Sequence, residues 1–371
     1  MRKKIVLFAY DKQNLGDDLF VHTIVQRYSD VQFYIWTDRE NRKTFQTLPN
    51  LKVVDKDGVL VHMLNWLRPS FVSRYRAWVE KRCQAVVYIG GSIFMEYENW
   101  AQILSWWEYE AKNRPFYILG ANFGPYKSEA YRNKLAEIFH DAKDVCFRDR
   151  YSYEKFRAVP TVRCAPDILF SYPMPNVPVA EKQLFVSIID CASRGEGENS
   201  LSAYGAPYIN TLSDLLKHYL NDGFRLVLAS FCKAEGDDRA IDKLLSAMSL
   251  GQDDPRIRVL FYDGTNAGEM TSSIAASEYV IATRFHATIL ALAAGRPVFP
   301  IVYSDKTIHV LEDLGFQGHF ADLRSMEPIT YAESRANLDV TQTLDVGTLA
   351  KNAQEHFKML DLRMHRNGET L

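Results

Sequence analysis

Apolar and polar positions along the chain fall into short apolar runs set between helix-length stretches. In the first half the runs lie at 4–10, 32–36, 51–55, 85–89, 115–120, 144–148 and 161–165. They are rich in Val, Ile, Phe and Tyr, and several stop at Gly, Asp or Asn, as strands do. Segments 17–28, 99–112 and 127–141 have helical length between them. Alternation of this kind predicts βαβ units and a mainly parallel sheet.

The stretch Ser171-Tyr-Pro-Met-Pro-Asn-Val-Pro178 carries three prolines and continues neither a helix nor a central strand. Beyond it the alternation restarts. Strands are expected at 184–190, 225–231, 257–262, 278–284 and 297–303, with helices near 207–221, 236–249, 267–276 and 286–295. The pattern predicts two doubly wound α/β domains, 1–175 and 183–330, and a helical tail over 331–371. In the tail, Leu349, Ala353, Phe357 and Leu360 recur at helical spacing, as in a docked amphipathic helix. Open sheets of this class bind ligands beyond the carboxyl ends of their strands. The expected site is therefore a cleft between the two domains.

Composition narrows the function. The chain has 371 residues, 47% apolar and 24% charged, with 44 basic against 46 acidic side chains. With no net positive field, binding to nucleic-acid backbone is disfavoured, and any anion must be held by a few local cations. The apolar run after Met1-Arg-Lys-Lys4 is too short for a signal-peptide core, and no stretch is long enough to span a bilayer. A cytoplasmic location is expected. Five scattered Cys (83, 146, 164, 191 and 232) make neither a disulfide framework nor a metal spacing, so no metal is expected.

Five short motifs stand at expected strand ends. Asn14-Leu-Gly16-Asp17-Asp18 opens the first helix. Capping alone accounts for an Asp there, yet a carboxylate at that strand end also faces a ligand edge. Gly90-Gly91-Ser92 and Gly120-Ala-Asn122-Phe-Gly124-Pro125 read as tight turns or as loops whose amides approach a ligand. Neither is a dinucleotide or Walker fingerprint. In Phe147-Arg148-Asp149-Arg150-Tyr-Ser152, strand alternation places Arg148 at the rim and Ser152 as the next helix cap. Arg284-Phe-His286 precedes the apolar helix 287–294. Cationic side chains at a helix N-terminus oppose its dipole, which points instead to a bound anion. Lys306 follows the next strand near the same edge.

In this order and spacing, over roughly residues 1 to 325, the motifs resemble those of the polysaccharide pyruvyl transferase family. The resemblance implies two Rossmann-like domains of GT-B type. It also implies transfer of pyruvate from phosphoenolpyruvate (PEP) to a sugar of a bacterial surface polysaccharide or its lipid-linked precursor, giving a cyclic ketal. No cofactor is then required; PEP is the donor substrate. Arg148, Arg284 and Lys306, with His286, are the expected ligands of its carboxylate and phosphate. His286 is the expected general acid and Asp17 a base for an acceptor hydroxyl, Asp17 remaining open as a mere cap. Asn14, Gly16, Gly90, Gly91, Ser92, Asn122 and Gly124 are expected to line the acceptor or loop side.

Residues 62–82 interleave Arg and Lys with Trp, Phe and Tyr. Such a segment either packs its rings on the sheet or lies peripherally on an anionic membrane face. Two other functions stay open at this point: a GT-B glycosyltransferase using a nucleotide sugar, and a glycan-binding protein without catalysis.

Overall fold

A computed structural model describes residues 2–56, 71–194, 200–325, 327, 329–338 and 344–365. The chain divides into two compact units. One holds Met1–Asp11, Asp17–Ser171 and Lys351–Leu371, and the other Lys12–Gly16 and Tyr172–Ala350.

In the first unit the chain runs through β1 (Lys4–Phe8), α1 (Leu15–Arg27), β2 (Gln32–Thr37), β3 (Leu51–Asp55), α2 (Phe71–Glu80), β4 (Ala85–Ile89) and α3 (Trp100–Asn113). It continues through β5 (Phe116–Ala121), α4 (Glu129–Asp141), β6 (Asp144–Phe147), α5 (Arg150–Phe156) and β7 (Val162–Cys164). The strands order as β3-β2-β1-β4-β5-β6-β7, and every pairing is parallel. A parallel sheet covered on both faces needs apolar residues at successive positions. β5 is accordingly buried along its whole length.

The second unit repeats the winding with β8 (Ala180–Ser187), α6 (Gly205–Asn221), β9 (Arg225–Ser230), α7 (Asp237–Met248), β10 (Ile257–Phe261), α8 (Ala267–Ala275) and β11 (Ser277–Ala282). Then come α9 (Phe285–Ala293), β12 (Val298–Val302), α10 (Asp305–Asp313) and β13 (Ala321–Asp322). The order is β10-β9-β8-β11-β12-β13, again parallel. β13 is only two residues long, too short for an apolar run to announce it. Each sheet reverses direction once, between β1 and β4 and between β8 and β11, and ligands of doubly wound sheets bind at such switch points.

The remaining helices are α11 (Tyr331–Ala336), α12 (Val346–Ala353) and α13 (Lys358–His365). The tail expected as one segment over 331–371 divides: Lys351–Leu371 belong to the first unit, the residues before them to the second. The reason is apolar. Ala353, Phe357 and Leu360 are fully buried. Arg163 ties the segment down by donating to the carbonyls of Glu355 (2.5 Å) and His356 (2.9 Å), while its guanidinium is held by Asp144 at 2.6 Å.

Candidate functional site

At the first switch point, β4 runs into Gly90-Gly91-Ser92. Glycine at 91 has a steric cause: a Cβ there would lie 2.5 Å from Nη2 of Arg148. Arg148 is not at the rim, as strand alternation predicted, but buried. Its Nη1 donates to Asp167 at 3.0 Å and its Nη2 to the Asn122 side-chain oxygen at 2.8 Å. Alternation gave the face, not the depth; a buried carboxylate from the loop after β7 draws the guanidinium inward. Burial pushes the Asp167 carboxyl up, against the pull of Arg148. The same Asn122 oxygen accepts from Ser92 Oγ at 3.2 Å, and the Asn122 amide donates to the Gly91 carbonyl at 2.8 Å. Gly90–Ser92 and Asn122 are thus clamped together by one guanidinium. Gly124, at φ +94°, donates to the Phe94 carbonyl at 2.8 Å and turns the second loop.

Ser152 is not the helix cap. Asp149 is, accepting from the Ser152 amide at 2.7 Å. Ser152 Oγ donates to Asp149 at 2.9 Å and accepts the Phe123 amide at 2.7 Å, fixing the Asn122–Gly124 loop.

The opening of α1 bears on the capping reading of Asp17. The helix starts at Leu15, and the Asn14 side chain accepts from the Gly16 amide at 3.3 Å. Asn14 therefore holds the capping position, and Asp17 lies in the first turn with Asp18. Its charge is felt at β4: Tyr88 is pushed up to about 12 by burial, then by Asp17 and Asp11.

Residues Lys12–Gly16 group with the second unit. The Leu15 amide donates to the Phe231 carbonyl at 3.1 Å. A Cβ on Gly16 would lie 1.8 Å from Nδ1 of His286, so the imidazole rests directly on the glycine. That contact is why the position tolerates no side chain.

His286 is the second residue of α9, and Arg284 precedes the helix at its N-terminus. The amides of Thr283 and Arg284 each donate to Ser187 Oγ at 3.1 Å, which ties the end of β11 to that of β8. Arg284 is not an open cation. Its Nε donates to Asp237 at 2.8 Å, its Nη2 to the other Asp237 oxygen, and its Nη1 to Glu235 at 2.5 Å. Asp237 is itself fixed by the Phe231 and Cys232 amides, both at 3.0 Å. Burial disfavours the Arg284 cation, but Asp237 and Glu235 outweigh it and hold it firmly charged. A guanidinium has five N–H donors, so two Nη hydrogens remain for a ligand beyond these three bonds.

Around it stand residues the sequence did not single out. Arg194 donates to the Glu235 oxygen that Arg284 also uses, and its guanidinium carbon lies 5.5 Å from the Tyr303 ring centroid. Burial raises the Tyr303 phenol, but Arg194, Lys306 and Arg284 together outweigh it and leave the phenol below its ordinary value. Arg194 thus lies against the ring, and the charges of Lys306 and Arg284 are felt there. Arg194 comes from a stretch without strand or helix pattern, so only its place after an apolar run marked it. Glu235 and Asp237 sit at the start of a helix, where carboxylates usually signal a cap. No group of three or more His, Cys, Asp or Glu able to hold a metal occurs among the described residues.

The sequence model of a family described as polysaccharide pyruvyl transferase matches residues 14–305, from Asn14 to the residue before Lys306. Amylovoran biosynthesis protein AmsJ of Erwinia amylovora is 22% identical over 263 residues, covering 66% of this chain and 63% of that protein, less than two thirds of its length. A putative UDP-N-acetylglucosamine 2-epimerase from Listeria monocytogenes superposes with a TM-score of 0.61 at 11% identity, covering 100% of this chain and 98% of that one. Anabaena Alr3699/HepE, solved with UDP-glucose, gives 0.55 at 13% identity, with 96% and 99% covered. At such identities the likeness concerns fold alone, and that fold is GT-B-like.

Proposed function

The chain belongs to the polysaccharide pyruvyl transferase family, and from that premise we propose that it transfers pyruvate from PEP to a sugar of a bacterial surface polysaccharide or its lipid-linked precursor. The observation that carries this reading is the second switch point. There an imidazole seated on Gly16 shares a helix N-terminus with Arg284, Arg194 lies against Tyr303, and the charge of Lys306 is felt at that phenol. A small dianion with an adjacent carboxylate needs several cationic donors and a helix end. The likeness to an amylovoran biosynthesis protein supports the acceptor class.

In the proposed reaction His286 delivers a proton to the PEP methylene carbon, which becomes a methyl group, leaving cationic character on the central carbon. One acceptor hydroxyl adds there, with Asp17 as the base for its proton. The bond from that carbon to the phosphate oxygen breaks, and a second hydroxyl closes the ketal. Of the two hydroxyl protons, one replaces the proton given to carbon and the other leaves on hydrogenphosphate. Lys306, Arg194 and the two remaining Arg284 hydrogens neutralise the departing phosphate. Arg148, expected as a PEP ligand, is also the clamp of the Gly90–Ser92 and Asn122 loops.

Phosphorus NMR with PEP and a panel of glycan acceptors tests the reading. Acceptor-dependent release of inorganic phosphate is expected, and in deuterated water one deuterium enters the ketal methyl. Turnover of a nucleotide sugar without PEP consumption overturns it in favour of a glycosyltransferase.

A further inference from the structure

Of the basic, aromatic segment 62–82, residues 62–70 lie outside the described residues; from Arg74 onward in α2 the side chains are turned the unexpected way round. Arg76 points inward: its guanidinium lies 4.6 Å from the Phe8 ring and 5.5 Å from the Trp106 ring, and it pairs with buried Glu80 at 2.7 Å. Trp78 points outward and is 51% exposed, with Tyr75 beside it at 39%. The two exposed rings stack, centroids 6.0 Å apart, and the Arg82 guanidinium lies 3.9 Å over the indole. Packing on the sheet therefore accounts for Arg76 and not for the tryptophan.

Position along the helix turns these rings into a surface. Arg74, Trp78, Lys81 and Arg82 recur at intervals of four, three and one residues, on one face, and the three cations are exposed. The one acidic residue in 74–82 is Glu80, which is buried and paired. In a chain whose charges nearly cancel, this face carries three positive charges and no exposed negative one. Amphipathic rings flanked by Arg and Lys sit favourably at the headgroup level of a bilayer.

We infer that the face built on Tyr75 and Trp78 of α2 and on Arg82 in the turn that follows it is a docking surface for an anionic lipid bilayer. Contact is peripheral, since no described helix is long and apolar enough to cross a membrane. The surface goes beyond the transfer reaction and does not depend on which donor is used. Its strength is modest, each basic residue near such a surface contributing about fivefold in affinity.

Co-sedimentation of the full chain with vesicles of pure phosphatidylcholine, and with vesicles containing a quarter phosphatidylglycerol, tests it at low and high salt. Binding only to the anionic vesicles, weakened by salt, is expected. Trp78→Ser should weaken it several-fold, and Arg74→Gln, Lys81→Gln and Arg82→Gln together by roughly 10²-fold. All four positions are exposed, so thermal unfolding should hold steady and show that the variants are folded. Equal binding to neutral vesicles, undiminished binding by the variants, or no binding to either vesicle overturns the inference. So does retention by a soluble anionic polysaccharide with none by vesicles.

Discussion

At the level of single residues, the most informative contact is the imidazole of His286 on the α-carbon of Gly16. It sets two predictions apart. His286→Asn keeps a polar side chain but delivers no proton, so kcat should fall by roughly 10²- to 10⁴-fold. PEP affinity, read by calorimetry, should fall less than in Lys306→Ala. The reverse pattern, affinity lost and saturating rate kept, makes His286 a phosphate ligand and nothing more. Gly16→Ala leaves the histidine in place chemically and displaces it physically. A misplacement near 1 Å is enough for about a 10²-fold loss in rate. That loss should appear in kcat, together with a lowered thermal midpoint, because the added Cβ also meets Cβ of His286 at 2.6 Å and rotating the ring does not clear it. Arg284→Ala is a poorer probe. It strands the Asp237 carboxylate in the interior, at a cost of about 3–5 kcal/mol.

What was legible at this scale follows from chain locality. Arg284 and His286 were visible because strand, cation and apolar helix follow one another directly. The same reading placed Arg148 at the rim and left out Arg194, Glu235 and Asp237. Their roles depend on partners 19 to 49 positions away, which no local pattern encodes.

Among the elements, α3 carries the clearest pH-sensitive group. Glu110 is buried and shares Arg114 with Glu80, at 3.1 Å and 3.3 Å respectively. Burial first, and then Glu80, push it up to about 7, against the pull of Arg114. A carboxyl whose folded value is raised stabilises the fold while protonated. Its contribution is complete below its ordinary range near 4.5 and is lost as pH rises through about 7. Glu110→Gln stays neutral throughout. Its thermal midpoint relative to the parent should therefore climb between pH 5 and pH 8. A difference that is flat with pH would show that Glu110 stays ionised across the range. At this scale the strands were the most readable feature, since parallel strands buried on both faces appear as continuous apolar runs. The three-ten helix Arg39–Phe45 and the two-residue β13 offered no such run.

For the molecule as a whole, the proline-rich stretch announced two units, and the structure sets the division between Ser171 and Tyr172. Sequence did not show that the first unit is discontinuous. Helical spacing marked Phe357 and Leu360 as apolar anchors, but said nothing of which core they enter. Removing residues 351–371 should lower the unfolding transition of the first unit and leave that of the second in place. Each large buried side chain lost is worth about 1.5–3 kcal/mol. Two separately tracked transitions in calorimetry, or hydrogen exchange resolved by unit, decide the matter; an unmoved first transition refutes the assignment. Acid should work in the same direction. His356 donates its Nε2–H to the Pro166 carbonyl at 2.8 Å, and burial holds its imidazole down at about 3. Its contribution is present above its ordinary value of 6.5 and drains away as pH falls toward about 3.

The return of residues 351–365 to the first unit also sets an order of assembly at the ribosome. β1 to β7 are made early, but the segment that covers Arg163 and Asp144 is still unsynthesised when the second unit emerges. At about 5–20 residues per second, the interval between Ser171 and the arrival of Phe357 is roughly 10 to 40 s. For that time the β5 to β7 side of the first unit waits with an apolar seam open. The second unit, whose residues 172–350 are continuous apart from Lys12–Gly16, is free to close first. A nascent chain of this kind is most exposed to aggregation and to chaperones in its oldest part, the opposite of the usual vectorial order.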